Sequence, residues 1–442
     1  MMLVWFLLAV GLLVFIHEMG HYLAARSVGV HVERFSIGFG RVLVRLRDRR
    51  GCEWALSTLP LGGYVKLNID QCSLGARAWV VAAGPLANFL FAIAAYAFLA
   101  ALPREEPRAI LAAPALESPA ARAGLRAGDE VLAVNERPVA HYQALRWALL
   151  KEAVAQGDLN VSLTVQSRGA SPRTVTLQVR RDPSKPDAGP EETLQRAGLQ
   201  LQSMAVRITQ VLVGSPAQQA GIQEGQVILA LNGLALEQPA TLIQAVRQAG
   251  AEPLILDLIS VSKPDGPGQR MEEVPGSARR VALLPAAGPD GQVRVGLGLA
   301  PVVQTVRVEQ GVAEAVVEGF ARTFDMASLS LTALGRMLTG DLSWRQLSGP
   351  ATIADAAGQS ADRGSLAFFG FLALVSVSIG ILNLLPVPML DGGHLLYYAI
   401  EFVRGRPLSE GAQRLGQQLG LAAILSLTGL ALASDLLRYF GT

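Results

Sequence analysis

The sequence predicts a polytopic α-helical membrane protein with four transmembrane helices, a cytoplasmic or re-entrant β-hairpin region, and two tandem extracytoplasmic α+β domains. Three observations carry that prediction. Hydrophobic residues make up 51% of the 442 and charged residues only 17%, where ordinary globular domains carry about a quarter charged. Four apolar runs reach the roughly 20 residues that cross a bilayer: about Met2 to Ala25, Trp79 to Leu102, Leu366 to Pro388 and Leu419 to Leu437. A long stretch between the second and third runs contains an internal repeat. The net charge of +2 predicts no nucleic-acid partner; the lipid bilayer is the expected surrounding.

The first run, with its flanks, occupies 1–30. No basic segment precedes it, and His17, Glu18 and His21 interrupt its far end, so it is expected to anchor rather than to act as a signal peptide. Residues 26–78 hold nine Lys and Arg against four Asp and Glu. By the positive-inside rule that loop is cytoplasmic, and the N-terminus, the stretch 103–365 and the C-terminus lie outside. Within 31–78 the alternation of Arg41–Arg47, the turn Asp48-Arg-Arg-Gly51 and the run Trp54–Leu59 predict a hairpin. Glycine-rich points flank it at Gly38–Gly40 and Leu61–Tyr64. Two readings stand open here, a small cytoplasmic sheet and a sheet edge near the membrane that pairs with an extended peptide. Cys52 and Cys72 share this reducing side and are expected as free thiols.

After the second run, at 79–102, comes the repeat. Ser118-Pro-Ala-Ala-Arg-Ala-Gly124 runs on to Asn135, and Ser215-Pro-Ala-Gln-Gln-Ala-Gly221 runs on to Asn232 in the same register. Each copy reads as a short helix ended by glycine, a turn, and a strand ending at Asn. The pattern resembles the PDZ domain in its Gly-Leu-x-x-Gly-Asp turn, and predicts two PDZ-like domains at 108–200 and 201–300. The second copy departs at Gln226, where the first has Asp129. Helical stretches follow at Tyr142–Ala155 and Ala240–Ala249, and strand-like runs at Val161–Val165 and Leu254–Leu258. Arg181–Pro190 and Lys263–Ser277 read as loops. The connector 301–365 shows helical periodicity over 312–338, read as a packing helix in preference to a membrane-surface one. The third run follows at 366–388, a cytoplasmic loop at 389–418 and the last run at 419–440.

The chemistry starts from His17-Glu-Met-Gly-His21. On a helix, positions i and i+4 share a face, so both imidazoles can bind one metal, with Glu18 beside them to take a proton from water. Ionisable groups inside an apolar span are costly and mark function. A catalytic zinc takes three protein ligands and keeps a position open. Asp391, in Asn383-Leu-Leu-Pro-Val-Pro-Met-Leu-Asp-Gly-Gly-His394, is the preferred third ligand, ahead of His394. Pro386 and Pro388 break the helix before it, and Gly392 and Gly393 permit close backbone approach. Both motifs fall at the inner ends of spans running the same way, which brings them to one membrane face.

With these motifs in order, together with Gly84-Pro-Leu-Ala-Asn88, read as a turn in the second span, and Leu347-Ser-Gly-Pro350, the chain resembles the site-2 protease family of intramembrane zinc metalloproteases. The resemblance implies one Zn²⁺ per chain on His17, His21 and Asp391, with Glu18 as general base. It implies that Asn383 holds the substrate or stabilises the oxyanion, that Gly62, Gly63, Tyr64, Val65 and Lys66 bind the substrate as an added strand, and that Pro386 and Pro388 also bind it. Implied substrates are single-span membrane proteins, namely a pre-trimmed anti-sigma factor in envelope stress signalling and signal-peptide remnants. The link from Lys66 to the second span is shorter than the family's usual insert. A size filter is preferred to a peptide-binding module for the repeat pair. There are two competing readings: a PDZ scaffold without catalysis, which leaves the set of Glu18, two histidines and Asp391 unexplained, and a metal transporter using the same ligands, against which the helix-borne Glu18 and the strand-like loop at 31–67 argue.

Overall fold

The computed structural model describes residues 1–69, 71–181, 189–250, 252–261, 274, 276–287 and 293–440. It divides into two compact units, Met1–Leu102 with Gln310–Thr442, and Pro103–Glu309. Most of the two expected loops at Arg181–Pro190 and Lys263–Ser277 lies outside the described residues.

In the first unit the chain enters through α1 (Met2–Ser27) and turns into two long strands, β1 (Val32–Arg47) and β2 (Glu53–Leu67). Left-handed glycines at Gly38, Gly40 and Gly62 bend these strands. Residues 42–47 pair with 57–53, while 34–37 are flanked on both sides: Phe35 opposes Trp54 on one side and Val65 on the other. Two bent strands thus make four rows, with 42–47 and 63–67 at the edges. The sheet packs on α1 through Phe35, whose ring meets Phe15 at 5.7 Å and Tyr22 at 5.9 Å. Cys52 and Cys72 are unbridged.

Helix α2 (Leu74–Ala101) follows, capped by the Ser73 hydroxyl accepting from Ala76 N–H. It starts earlier than the apolar run expected from residue 79. Gly84–Asn88 is not a turn: Pro85 sits inside the continuous helix, as helix-borne prolines do in membranes when neighbouring helices re-satisfy the freed backbone. α1 and α2 touch closely at Gly20, where a Cβ would overlap the Ala83 carbonyl.

The second unit contains β3 (Arg104–Pro107), α3 (Pro119–Arg122), β4 (Glu130–Val134), β5 (Arg137–Pro138), α4 (Tyr142–Gln156), β6 (Leu159–Gln166), β7 (Arg173–Val179) and α5 (Pro190–Ala197). There follow β8 (Ala205–Val211), α6 (Pro216–Gln219), β9 (Val227–Leu231), β10 (Leu234–Ala235), α7 (Pro239–Ala249), β11 (Leu254–Ile259), β12 (Arg279–Leu283), β13 (Ala286–Ala287), β14 (Val293–Arg294), β15 (Leu297–Val302) and β16 (Thr305–Val308). Each copy of the repeat has its own core, one around Leu145, Leu163 and Leu177, the other around Ile208, Leu242 and Leu256. The repeat extends to the hydrogen bonds. Leu111 N–H donates to Asp129 O as Ile208 N–H does to Gln226 O, and the Asn135 and Asn232 side chains each accept one backbone N–H, from Ser162 and Ile255. Gln226 also does the work of Asp129. Each accepts the N–H three residues earlier and an arginine, Arg173 in the first copy and Arg279 in the second.

The chain returns to the first unit through α8 (Val312–Thr339), α9 (Pro350–Asp362), α10 (Ser365–Leu384), α11 (Asp391–Arg404) and α12 (Glu410–Phe440). Among the described residues, α1, α2, α10 and α12 are long and apolar enough to span a membrane. α8 packs on α2 at Gly319, where a Cβ would meet the Ile93 carbonyl, and reaches α10 through Met326 and Ala327. Its other face leaves Val317, Phe320 and Phe324 exposed, so the packing-helix reading describes one face only. The Leu347–Pro350 segment leads into the start of α9, where buried Asp435 of α12 accepts from Gly349 and Ala351 N–H and from the Thr352 hydroxyl.

Two expectations are corrected here. The third span ends at Leu384, not at 388, and the 389–418 loop is largely helical, holding α11 and the start of α12. Pro386 and Pro388 lack a donor and force extended backbone before them, as at Leu385. Gly392 and Gly393 then lie so close to the Leu384–Pro388 backbone that neither position has room for a Cβ. The chain can therefore restart as a helix immediately, with Asp391 as its first residue.

Candidate metal centre

His17 and His21 lie one turn apart on α1 and present Nε2 atoms 3.3 Å from each other. Asp391, at the start of α11, brings Oδ2 to 3.1 Å from His17 Nε2 and 3.5 Å from His21 Nε2. These three residues form a group whose ligand atoms all lie within 4.8 Å of one another. A tetrahedral zinc with bonds of about 2.0 Å holds its ligand atoms about 3.3 Å apart. The observed triangle has that size and leaves one vertex open.

The orientation of the rings fits as well. A carbonyl can only accept, so His21 Nδ1 donates to Val80 O at 2.8 Å and leaves its Nε2 lone pair facing Asp391. His17 Nδ1 lies 3.2 Å from the Asn88 amide, whose Oδ1 is buried without a partner. A half-turn of that amide makes Oδ1 the acceptor of Nδ1–H and satisfies it. His17 Nε2 then also offers a lone pair to the triangle. Asp391 Oδ2 is likewise buried with no hydrogen bond of good geometry. Three lone-pair atoms crowded together without donors make a site for a cation.

Glu18 points from the same turn of α1 toward the edge row 63–67. A Cβ on Gly63 would come within 3.1 Å of its Cγ. Among the described residues no strand pairs with this side of 63–67. Gly62 lies against the Phe39 ring at φ 139°, Tyr64 stacks on Phe39 and accepts from Arg34, and Lys66 pairs with Glu33 at the exposed surface.

The remaining expected residues are placed unevenly. Pro386 and Pro388 sit in the link that delivers Asp391, and Pro388 packs against Gly416 and Gly420 of α12. Asn383 is half-buried on the last turn of α10 and makes no hydrogen bond among the described residues. His394 lies outside the triangle, near the Tyr397 ring. The site also uses residues that the motif reading did not assign to it: Val80, Asn88, and Gly84, where a Cβ would overlap the His21 ring. Gly84 and Asn88 have one sequence signal, the Gly84–Asn88 motif, and Val80 has none.

The sequence profile described as peptidase family M50 matches residues 5–427. The "Putative zinc metalloprotease" of Ralstonia nicotianae is 38% identical, with 98% of each chain covered. Protease RseP of Yersinia pestis is 36% identical and the regulator of sigma-E protease RseP of Escherichia coli K12 is 35% identical, each again over 98% of both chains.

Proposed function

The chain belongs to peptidase family M50, the site-2 protease family of zinc metalloproteases, and from that premise we propose that it cuts single-span membrane proteins inside the bilayer. The observation that carries this reading is the triangle of His17, His21 and Asp391, built on α1, which is apolar enough to span a membrane, and on α11, beside a strand edge that no other strand pairs among the described residues.

Bound to that triangle, zinc supplies Lewis acidity and brings the pKa of a water to about 7. Glu18 takes the proton of the attacking water and passes it to the leaving amine. Val80 and Asn88 hold the two imidazoles in the ligating tautomer. A substrate helix keeps its carbonyls bonded internally, so it must unwind before attack. The outward side of 63–67, Gly62 to Lys66, compensates the freed backbone groups by strand addition. Asn383, one turn from the break at Pro386 and Pro388, steadies the substrate or the developing oxyanion.

The second unit is read as two PDZ-like domains that filter substrates by bulk. The excess of basic residues in 26–78 puts the centre toward the cytoplasm and the filter in the periplasm of a bacterial inner membrane. Relatives named as regulators of sigma-E proteases point to a pre-trimmed anti-sigma factor as substrate, with signal-peptide remnants as a second class.

Glu18→Gln tests the reading directly. It is expected to keep one zinc per chain and to lose cleavage of a single-span substrate by roughly 10²–10⁴-fold. Wild-type turnover in a zinc-replete Glu18→Gln protein would remove Glu18 from the mechanism.

A further inference from the structure

The link that delivers Asp391 holds a strained residue to which the metal triangle assigns no part. Leu390 N–H donates to Val387 O at 3.1 Å, closing a four-residue turn. Pro388, second in the turn, fixes its own φ at about −65°, and Met389, third, has φ 88°. That is the pattern of a type II turn, whose third position calls for glycine. Among the described residues five that are not glycine take positive φ, and the other four are Asn or Glu of the second unit. An asparagine offsets such backbone with a local hydrogen bond; a thioether has none to offer.

The turn is held from two sides. Pro388 packs on α12, where a Cβ on Gly420 would overlap its carbonyl, and Gly393 of α11 lies against the Val387–Pro388 backbone. Between them the chain must reverse to start α11 at Asp391. Glycine would make that reversal without strain, so what the strain preserves is the Met389 side chain. Core packing does not account for it: Met389 is 54% exposed and is absent from the apolar clusters of the first unit. Its Cα lies two peptide units, at most about 7.6 Å, from that of Asp391. The side chain therefore stands near the metal triangle, on a side of the turn that neither α11 nor α12 covers.

We propose that Met389 is a specificity residue of the proposed protease, and the inference rests on that reading of the centre. A substrate held along row 63–67 with its scissile carbonyl at the open vertex brings the neighbouring residues within reach of this side chain. Met389 forms a wall against which an apolar substrate side chain next to the cut packs. Methionine is unbranched and polarizable, so the wall adapts to apolar side chains of different shape and favours long ones over short.

The test uses the full zinc-loaded chain and a single-span substrate whose cut has been mapped, with Leu or Ala placed in turn at each of the two residues on either side of the cut. The unmodified chain is expected to favour Leu over Ala, in kcat/KM, at one of these positions. Met389→Gly and Met389→Ala are each expected to lower that ratio about tenfold, at that position alone, with zinc content unchanged. Glycine relaxes the turn, so Met389→Gly is expected to fold with an equal or higher thermal midpoint. Alanine keeps the strained backbone and removes the thioether, which separates the side chain from the turn. A ratio unmoved in both variants, lowered only by glycine, or lowered equally at every position would overturn the proposal. So would a raised midpoint in Met389→Gly with the ratio unmoved, the mark of a side chain that faces lipid. An unmodified chain that cuts no single-span substrate would remove the protease reading and this proposal with it; cleavage with an unmoved ratio removes this proposal alone.

Discussion

At the scale of single residues, the centre depends on a side chain that is missing. Gly84 faces both imidazoles: a Cβ there would overlap the His21 ring and come 2.9 Å from His17 Cε1. α2 cannot retreat to make room without losing its contact at Gly20, where the Ala83 carbonyl already fills the space of a side chain. Gly84→Ala should therefore turn the rings out of register and weaken zinc binding roughly 10–100-fold, the range seen when ligand orientation is disturbed. Chelator competition measures this. Gly429→Ala on α12, where nothing lies within reach of a new Cβ, is the control and should bind zinc as before. His17, Glu18 and His21 were legible in the sequence because one helical turn fixes their relation. Gly84, Val80 and Asn88 were not, because their part depends on which face α2 turns to α1.

At the scale of elements, the metal triangle joins two helices that the sequence leaves far apart. α2 holds the histidines in orientation through Val80 and Asn88, and α11 supplies Asp391. Arg77 on α2 and Glu401 on α11 tie them with two hydrogen bonds, 2.6 and 3.2 Å, both side chains being 18% exposed. The Arg77 guanidinium also lies 5.1 Å from the centre of the Tyr398 ring. This clamp holds α11, and with it Asp391, against the helix whose Val80 and Asn88 orient the histidines. Glu401→Gln should lower zinc affinity about tenfold, at the lower end of outer-shell effects, and Arg77→Glu combined with Glu401→Arg should restore part of it. Equal zinc off-rates in all three proteins would show that the clamp is structural alone. The sequence disclosed the helix break here through Pro386 and Pro388, but it presented α11 as loop. Gly392 and Gly393 suggest irregular backbone when read singly; packed against the Leu384–Pro388 backbone, they are what lets a helix begin at Asp391.

At the scale of the whole molecule, a centre in one compact unit is joined in the chain to a second unit with two cores of its own. If that second unit is a filter, removing 108–300 should let substrates with intact outer domains be cut, as followed by the appearance of their membrane fragments. Loss of all cleavage would favour a peptide-binding role instead. The sequence by itself determined the apolar runs, the His-Glu-x-x-His turn, the break before Asp391 and the eighteen-residue repeat. Each of these is a local pattern, set by the period of a helix, the missing donor of proline or a register repeated in the chain. Only the tertiary structure brings Asp391, and not His394, within reach of both histidines, sets Asn88 and Val80 against the rings, and leaves the row 63–67 beside Glu18 without a further strand among the described residues. Those relations rest on close approaches between distant segments, at Gly20, Gly84, Gly392 and Gly393, where the absence of a side chain sets the distance and no local pattern records what will fill the space.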